Sequence, residues 1–141
     1  MKKTLLFFLS FLTLTLLCGC AVKEQSNMDN KITLINEVKD ADVWILPNTK
    51  ENKKTTVWGK AAAPKVKTGE SRETLLPDAG DNGLYIFRMI DTESFFYSAD
   101  GIKLEQGWIV KIKEKDTNSA ELEVTDKNGS LNTYKVFKAR L

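Results

Sequence analysis

Histidine is absent from all 141 residues, and no cysteine follows residue 20. The first absence removes the commonest general base near neutral pH and the commonest zinc ligand. The second removes disulfides, thiol nucleophiles and cysteine metal sites from everything beyond Cys20. Together they argue against Ser-His-Asp chemistry, Cys-His chemistry and ordinary zinc hydrolysis. An excess of one charge is lacking too. Lys2 and Lys3 account for the whole formal charge of +2, and the remaining acids and bases balance. There is no basic stripe and no acidic tail, so no nucleic-acid partner is expected. The longest apolar run, Leu5 to Leu17, has 13 residues, whereas a spanning helix needs about 20. No internal repeat, low-complexity tract or helix of ordinary length is legible, and no cofactor is expected.

What is present begins at the N-terminus. Lys2 and Lys3 form a basic head, the short apolar run follows, and Leu17-Cys18-Gly19-Cys20 closes it. A basic head, a short apolar core and a small residue at the cut describe a secretory signal. Gly19 precedes Cys20 directly and Leu17 stands three positions before it, a pattern that resembles the lipobox of bacterial lipoproteins. The resemblance implies that residues 1–19 are a cleaved signal peptide and that Cys20 carries the lipid, palmitate included. Cys18 departs from the commoner Ser, Ala or Thr but is small and uncharged, and Leu17 is too large to precede a modified cysteine at position 18. One acyl chain binds a bilayer only reversibly, whereas lipoprotein processing supplies two or three. The implied location is the cell membrane or outer membrane, facing the periplasm or the exterior. In bacteria with two membranes, Ala21 in place of Asp favours the outer one.

Residues 20–30 read as the lipidated cysteine and a flexible tether. Ten such residues behaving as a coil span roughly 18 Å. From Lys31 to Leu141 the pattern predicts one all-β domain, a single antiparallel β-sandwich of about eight short strands. Ile32 and Leu34 alternate with Thr33, and Val43 to Leu46 is an apolar run stopped by Pro47. Asn48 to Lys54 reads as a polar turn, Thr55 to Trp58 as a strand, and Lys67 to Glu70 as a turn. Leu84 to Ile90 is apolar except at Arg88, which fits a central strand covered on both faces. Asp78 to Gly83 faintly matches a calcium loop, but Gly80 and Met89 stand where ligands are needed, so a plain loop is expected.

Two registers follow from side-chain parity. Trp108, Val110 and Ile112 share a face with Ala120, Leu122 and Val124 only if paired numbers sum to an even value. That register sets Lys111 and Lys113 against the glutamates of the next strand. A three-residue loop Lys127-Asn128-Gly129, with Gly129 left-handed, would set Leu122 opposite Tyr134 and Ala120 opposite Val136.

Val43 to Ile112 also resembles a recurring small β-sandwich of bacterial secreted and envelope proteins. The features that carry this are the strand Val43 to Asn48, the step Trp58-Gly59, the turn Thr68-Gly69 leading to Leu76, Arg88-Met89-Ile90-Asp91, and Gly101 to Leu104. The resemblance implies a fold and no activity.

Four residues stand out as candidates for partner binding: Phe95, Phe96, Tyr97 and Arg88. Consecutive residues on a strand alternate faces, so Phe96 must oppose Phe95 and Tyr97. The most exposed apolar patch is therefore expected to include one of these rings. Arg88 interrupts an apolar strand, either facing a ligand or paired with an acid. Asp91 is three residues on, hence on the other face, and Asp91 and Glu93 read as turn chemistry. The function expected is a membrane-anchored envelope lipoprotein with a non-catalytic module that binds or bridges a protein or glycan. The alternative is an inhibitor or immunity-type lipoprotein that blocks an enzyme or toxin.

Overall fold

A computed structural model describes residues 30–54, 64–80 and 82–141 of the chain. Cys20, the tether up to residue 29 and the strand expected over Thr55 to Trp58 lie outside these residues. The nine strands are β1 (Lys31–Asn36), β2 (Ala41–Pro47), β3 (Lys65–Val66), β4 (Ser71–Leu75), β5 (Tyr85–Asp91), β6 (Phe95–Ile102), β7 (Ile109–Asp116), β8 (Ser119–Thr125) and β9 (Leu131–Arg140). The all-β expectation holds. The strands hydrogen-bond in the order β3-β2-β5-β6-β9-β8-β7-β1-β4, one continuous sheet nearly closed into a barrel.

Period-2 alternation explains the core. Ile32 and Leu34, Val110 and Ile112, and Ala120, Leu122 and Val124 all point inward and are buried. β5 is buried on both faces, as its continuous apolar run requires: Tyr85, Phe87 and Met89 face the interior while Ile86 and Arg88 are buried on the opposite side. Of the eight strand pairings, seven are antiparallel and one is not: β1 runs parallel to β7. A parallel pair needs a long connection, and here five strands intervene in the chain between the two partners. The other departure from expectation is local. Within Asn48 to Lys54, residues Lys50–Lys54 form a short helix, α1. Thr49 caps it, its hydroxyl accepting from Asn52 N–H at 3.1 Å, the usual way a first-turn donor is satisfied.

Both expected registers are present. β7 pairs with β8 as Ile109↔Thr125, Lys111↔Glu123 and Lys113↔Glu121. β8 pairs with β9 as Leu122↔Tyr134 and Ala120↔Val136. Gly129 is left-handed at φ 84°, and Asp126 Oδ1 accepts from Asn128 N–H and Ser130 N–H.

The β5–β6 loop repeats this design with a different residue. Asp91 Oδ1 accepts from Glu93 N–H and Phe95 N–H, and the left-handed position is Ser94, φ 65°. A β-carbon in that conformation is strained. Ser94→Gly should therefore raise the urea midpoint by the equivalent of about 0.5 kcal/mol, the relief being partly offset by glycine's greater unfolded freedom. Ser94→Val should lower it by about 1–2 kcal/mol. Equal midpoints for both variants would show that Ser94 is unstrained.

The sheet edges meet at a seam. β3 and β4 are the two edge strands, yet only Lys67–Glu70 separates them in the chain, so the backbone itself bridges the gap. Asn36 pins this region. Its Nδ2 donates to Lys39 O at 2.8 Å and to Val66 O at 3.0 Å, and its Oδ1 accepts from Val38 N–H at 3.0 Å. Its backbone N–H donates to Glu70 O and its carbonyl accepts from Gly69 N–H. Asp40 adds a second tie, accepting from Thr68 N–H and Thr68 Oγ1. These bonds hold its carboxyl below the ordinary carboxylate value.

Candidate functional site

The hairpin β5–β6 separates the four sequence candidates between two environments. Tyr97 points into the barrel and is fully buried, while Phe95 is half-buried and packs against the core from the same side. Phe96 is half-buried on the outer side, where Ile90 and Ala139 flank it across the strands. The alternation holds, but the exposure expectation fails. Among the described residues the exposed large apolar side chains are Leu75, Ile109, Leu131, Phe137 and Leu141, and none belongs to the triplet. Among the described residues the exposed ring is Phe137, which sits opposite Ser98 on the outer face. Parity pointed to it as well: Val136 and Phe137 are adjacent, and Val136 takes the inward place.

Tyr97 closes one end of the barrel interior. Its hydroxyl donates to Asp91 Oδ2 at 3.0 Å. Burial, that bond and the nearby charge of Glu114 push the phenol well above its usual range, so it remains a neutral donor. Beside it lies Lys138, which the sequence reading missed. Its Nζ is 2.7 Å from Glu114 Oε1, 4.7 Å from the centre of the Phe95 ring and 5.4 Å from that of Tyr97. Carboxylate and ring faces thus compensate an inward-facing ammonium. Alternation from Val136 places Lys138 inward, which was the available signal. These groups plug the end of the barrel and are satisfied by one another.

Arg88 is buried on the outer side and paired with an acid. Its Nη1 donates to Asp100 Oδ1 at 2.5 Å and to the carbonyls of Phe87 and Ala99. Asp91 is on the opposite face, as parity requires. Arg88 sits across from Trp44 on β2.

The concave feature with an apolar floor lies beside that pair. A cavity of about 400 Å³ opens on the outer side of β3, β2 and β5, lined among others by Trp44, Ile90, Val66, Asp42, Lys65 and Ser94. Register explains the assembly: Asp42 sits between Lys65 of β3 and Ile90 of β5. Among the described residues, the side chains of Asp42, Lys65 and Lys67 take no hydrogen-bond or ion-pair partner. The site therefore combines an aromatic and aliphatic floor with the charged groups of Asp42, Lys65 and Lys67, the last close enough to Asp40 to favour its carboxylate. A wider depression of about 810 Å³ beside the β7–β8 turn is lined only by polar and charged residues such as Lys115, Asn118 and Thr133. It has no apolar floor, so the smaller cavity is the better ligand site. Sequence reading located Trp44 and Ile90 on strands but had no means of bringing β3 beside them.

Among the described residues no helix is long and apolar enough to cross a membrane. No protein-family model, no curated protein and no solved structure matches the chain.

Proposed function

We propose that the protein is a membrane-anchored cell-envelope lipoprotein whose β domain binds or bridges a protein or glycan without catalysis. The lipobox-like Leu17 to Cys20 supports the anchor. The cavity beside Trp44 and Ile90 supports the binding role, because apolar floors rimmed by a few polar groups are where ligands are held. The absence of histidine, and of cysteine beyond Cys20, weighs in the same direction. Among the described residues the exposed ring, Phe137, is on a strand and not on a loop.

The test is an NMR titration of the full chain with envelope glycans and with short amphipathic peptides. The indole signal of Trp44 and the methyl signals of Ile90 should move in a saturable way with one of the two classes. Ile90→Glu should weaken that binding at least tenfold while leaving the fold intact, because Ile90 is only half-buried. Saturable binding that leaves Trp44 and Ile90 unmoved would refute the cavity as the site. No binding by either class would refute the binding role.

A further inference from the structure

Strand direction gives the barrel two distinguishable ends. β1 starts at the end where Asn30 enters, held there by Asn30 Nδ2 donating to Leu76 O and by Leu76 N–H donating to Asn30 O. The same end carries the close of β2 and of β4, the start of β7 and the start of β9. Among the described residues, three of the five exposed large apolar side chains lie there: Leu75 at 61%, Leu131 at 57% and Ile109 at 39% exposure. The order β9-β8-β7-β1-β4 spaces them two strands apart along the rim of this end. Leu131 pairs with Thr125, Thr125 with Ile109, and Ile109 with Thr33, while Leu75 pairs with Lys31 one pleat nearer the rim. Neighbouring strands are about 4.8 Å apart, so Leu131 and Ile109 are separated by roughly 10 Å on one outward face.

Exposed charge at this end is of both signs, Glu51, Glu73, Asp78 and Glu105 standing beside the lysines. Helix α1 follows β2 here, with Lys50, Lys53 and Lys54 exposed and no buried residue. Lys127 stands on the turn that leads into β9. None of these four lysines takes an ion-pair partner among the described residues. Long basic side chains around exposed aliphatics suit a headgroup layer, where the ammonium meets phosphate and the aliphatic part reaches the acyl boundary. Asn30 stands ten positions after Cys20 in the sequence, and any chain of that length behaving as a coil would reach roughly 18 Å, short enough to keep this end near an anchored Cys20.

The geometry points to a bilayer-docking face at the Asn30 end of the barrel, in which Leu75, Ile109 and Leu131 rest on the lipid surface and Lys50, Lys53, Lys54 and Lys127 meet anionic headgroups. It rests on the lipoprotein reading, and it orients the domain with the Tyr97–Lys138 end and the cavity directed away from the membrane. Phe137 and Leu141 lie outside this face and take no part in it.

The experiment uses processed, lipid-bearing protein in vesicles of phosphatidylcholine and phosphatidylglycerol that carry a headgroup-level quencher. A fluorophore is attached through Leu131→Cys or, at the far end, through Asn118→Cys, the sulfur of Cys20 being blocked by its lipid. Quenching at position 131 should exceed that at position 118 at least threefold. Lys53→Glu combined with Lys127→Glu should bring the ratio close to one, and a ratio left unmoved would overturn the headgroup contacts. Equal quenching at the two positions, with lipid found on Cys20 by mass spectrometry, would overturn the docking face and leave the anchor standing. A processed protein with no lipid on Cys20 would overturn both.

Discussion

Cys20→Ser is expected to leave the protein in the soluble fraction or as an unprocessed precursor, whereas Cys18→Ser should change nothing. The first effect is all-or-none because the proposed anchor is chemical: two or three acyl chains on one cysteine. Each buried methylene contributes about 0.8 kcal/mol to membrane association, so losing every chain removes the attachment as a whole. The docking face cannot replace it, since a few exposed aliphatics hold a surface only reversibly. Metabolic labelling with palmitate, followed by separation of membranes from soluble material, measures both variants. Label that persists in Cys20→Ser would refute the assignment of Cys20, and loss of label in Cys18→Ser would show that the neighbouring cysteine takes part.

The largest effect on stability is expected at Asn36. Truncation by Asn36→Ala removes three side-chain hydrogen bonds at a fully buried site and strands the Val38 N–H and two carbonyls. Each buried group left without a partner costs about 1–3 kcal/mol, and partial rearrangement of the turn would recover some of that. A net loss of about 3 kcal/mol is expected, or roughly 10 °C in Tm for a domain of this size. Asn36→Asp should be at least as damaging at neutral pH, because a carboxylate there faces the carbonyls of Lys39 and Val66 with no proton to donate. Burial and those carbonyls would raise the pKa of the introduced carboxyl above its unfolded value. Its folded state is then favoured below the unfolded pKa, and that benefit is lost as pH rises through the folded one. The stability gap between Asn36→Asp and the parent should therefore narrow below about pH 4. Thermal melts at pH 7 and pH 3.5 decide it. A loss under 1 kcal/mol for Asn36→Ala would show that the seam is held by the backbone alone.

The candidate site was legible in pieces. The triplet Phe95 to Tyr97 was placed on the right strand with the right alternation, and Asp91 behaved as a turn residue. The expected exposure of a ring failed because burial depends on what lies across the sheet. Phe95 has Lys138 against it, and Phe96 sits between Ile90 and Ala139. The acid that pairs with Arg88 is Asp100, 12 residues further along the chain. Within its own strand Arg88 has no acid on the same face, so only the β5–β6 pairing reveals the partner.

The sequence alone determined whatever is periodic or local. Alternation with period 2 located β1, β7 and β8 and their buried faces, because a side chain's face follows from the count along the strand. Parity and the Lys-Asn-Gly loop determined the registers of β7, β8 and β9, because a slip of one residue would expose the whole apolar set. Only the tertiary structure decided the sheet order, the parallel contact of β1 with β7, the seam at Asn36, the inward Lys138 and the cavity at Trp44. Each of these joins segments far apart in the chain. Such pairings are chosen by how the entire apolar surface can be buried at once, and no local pattern carries that information.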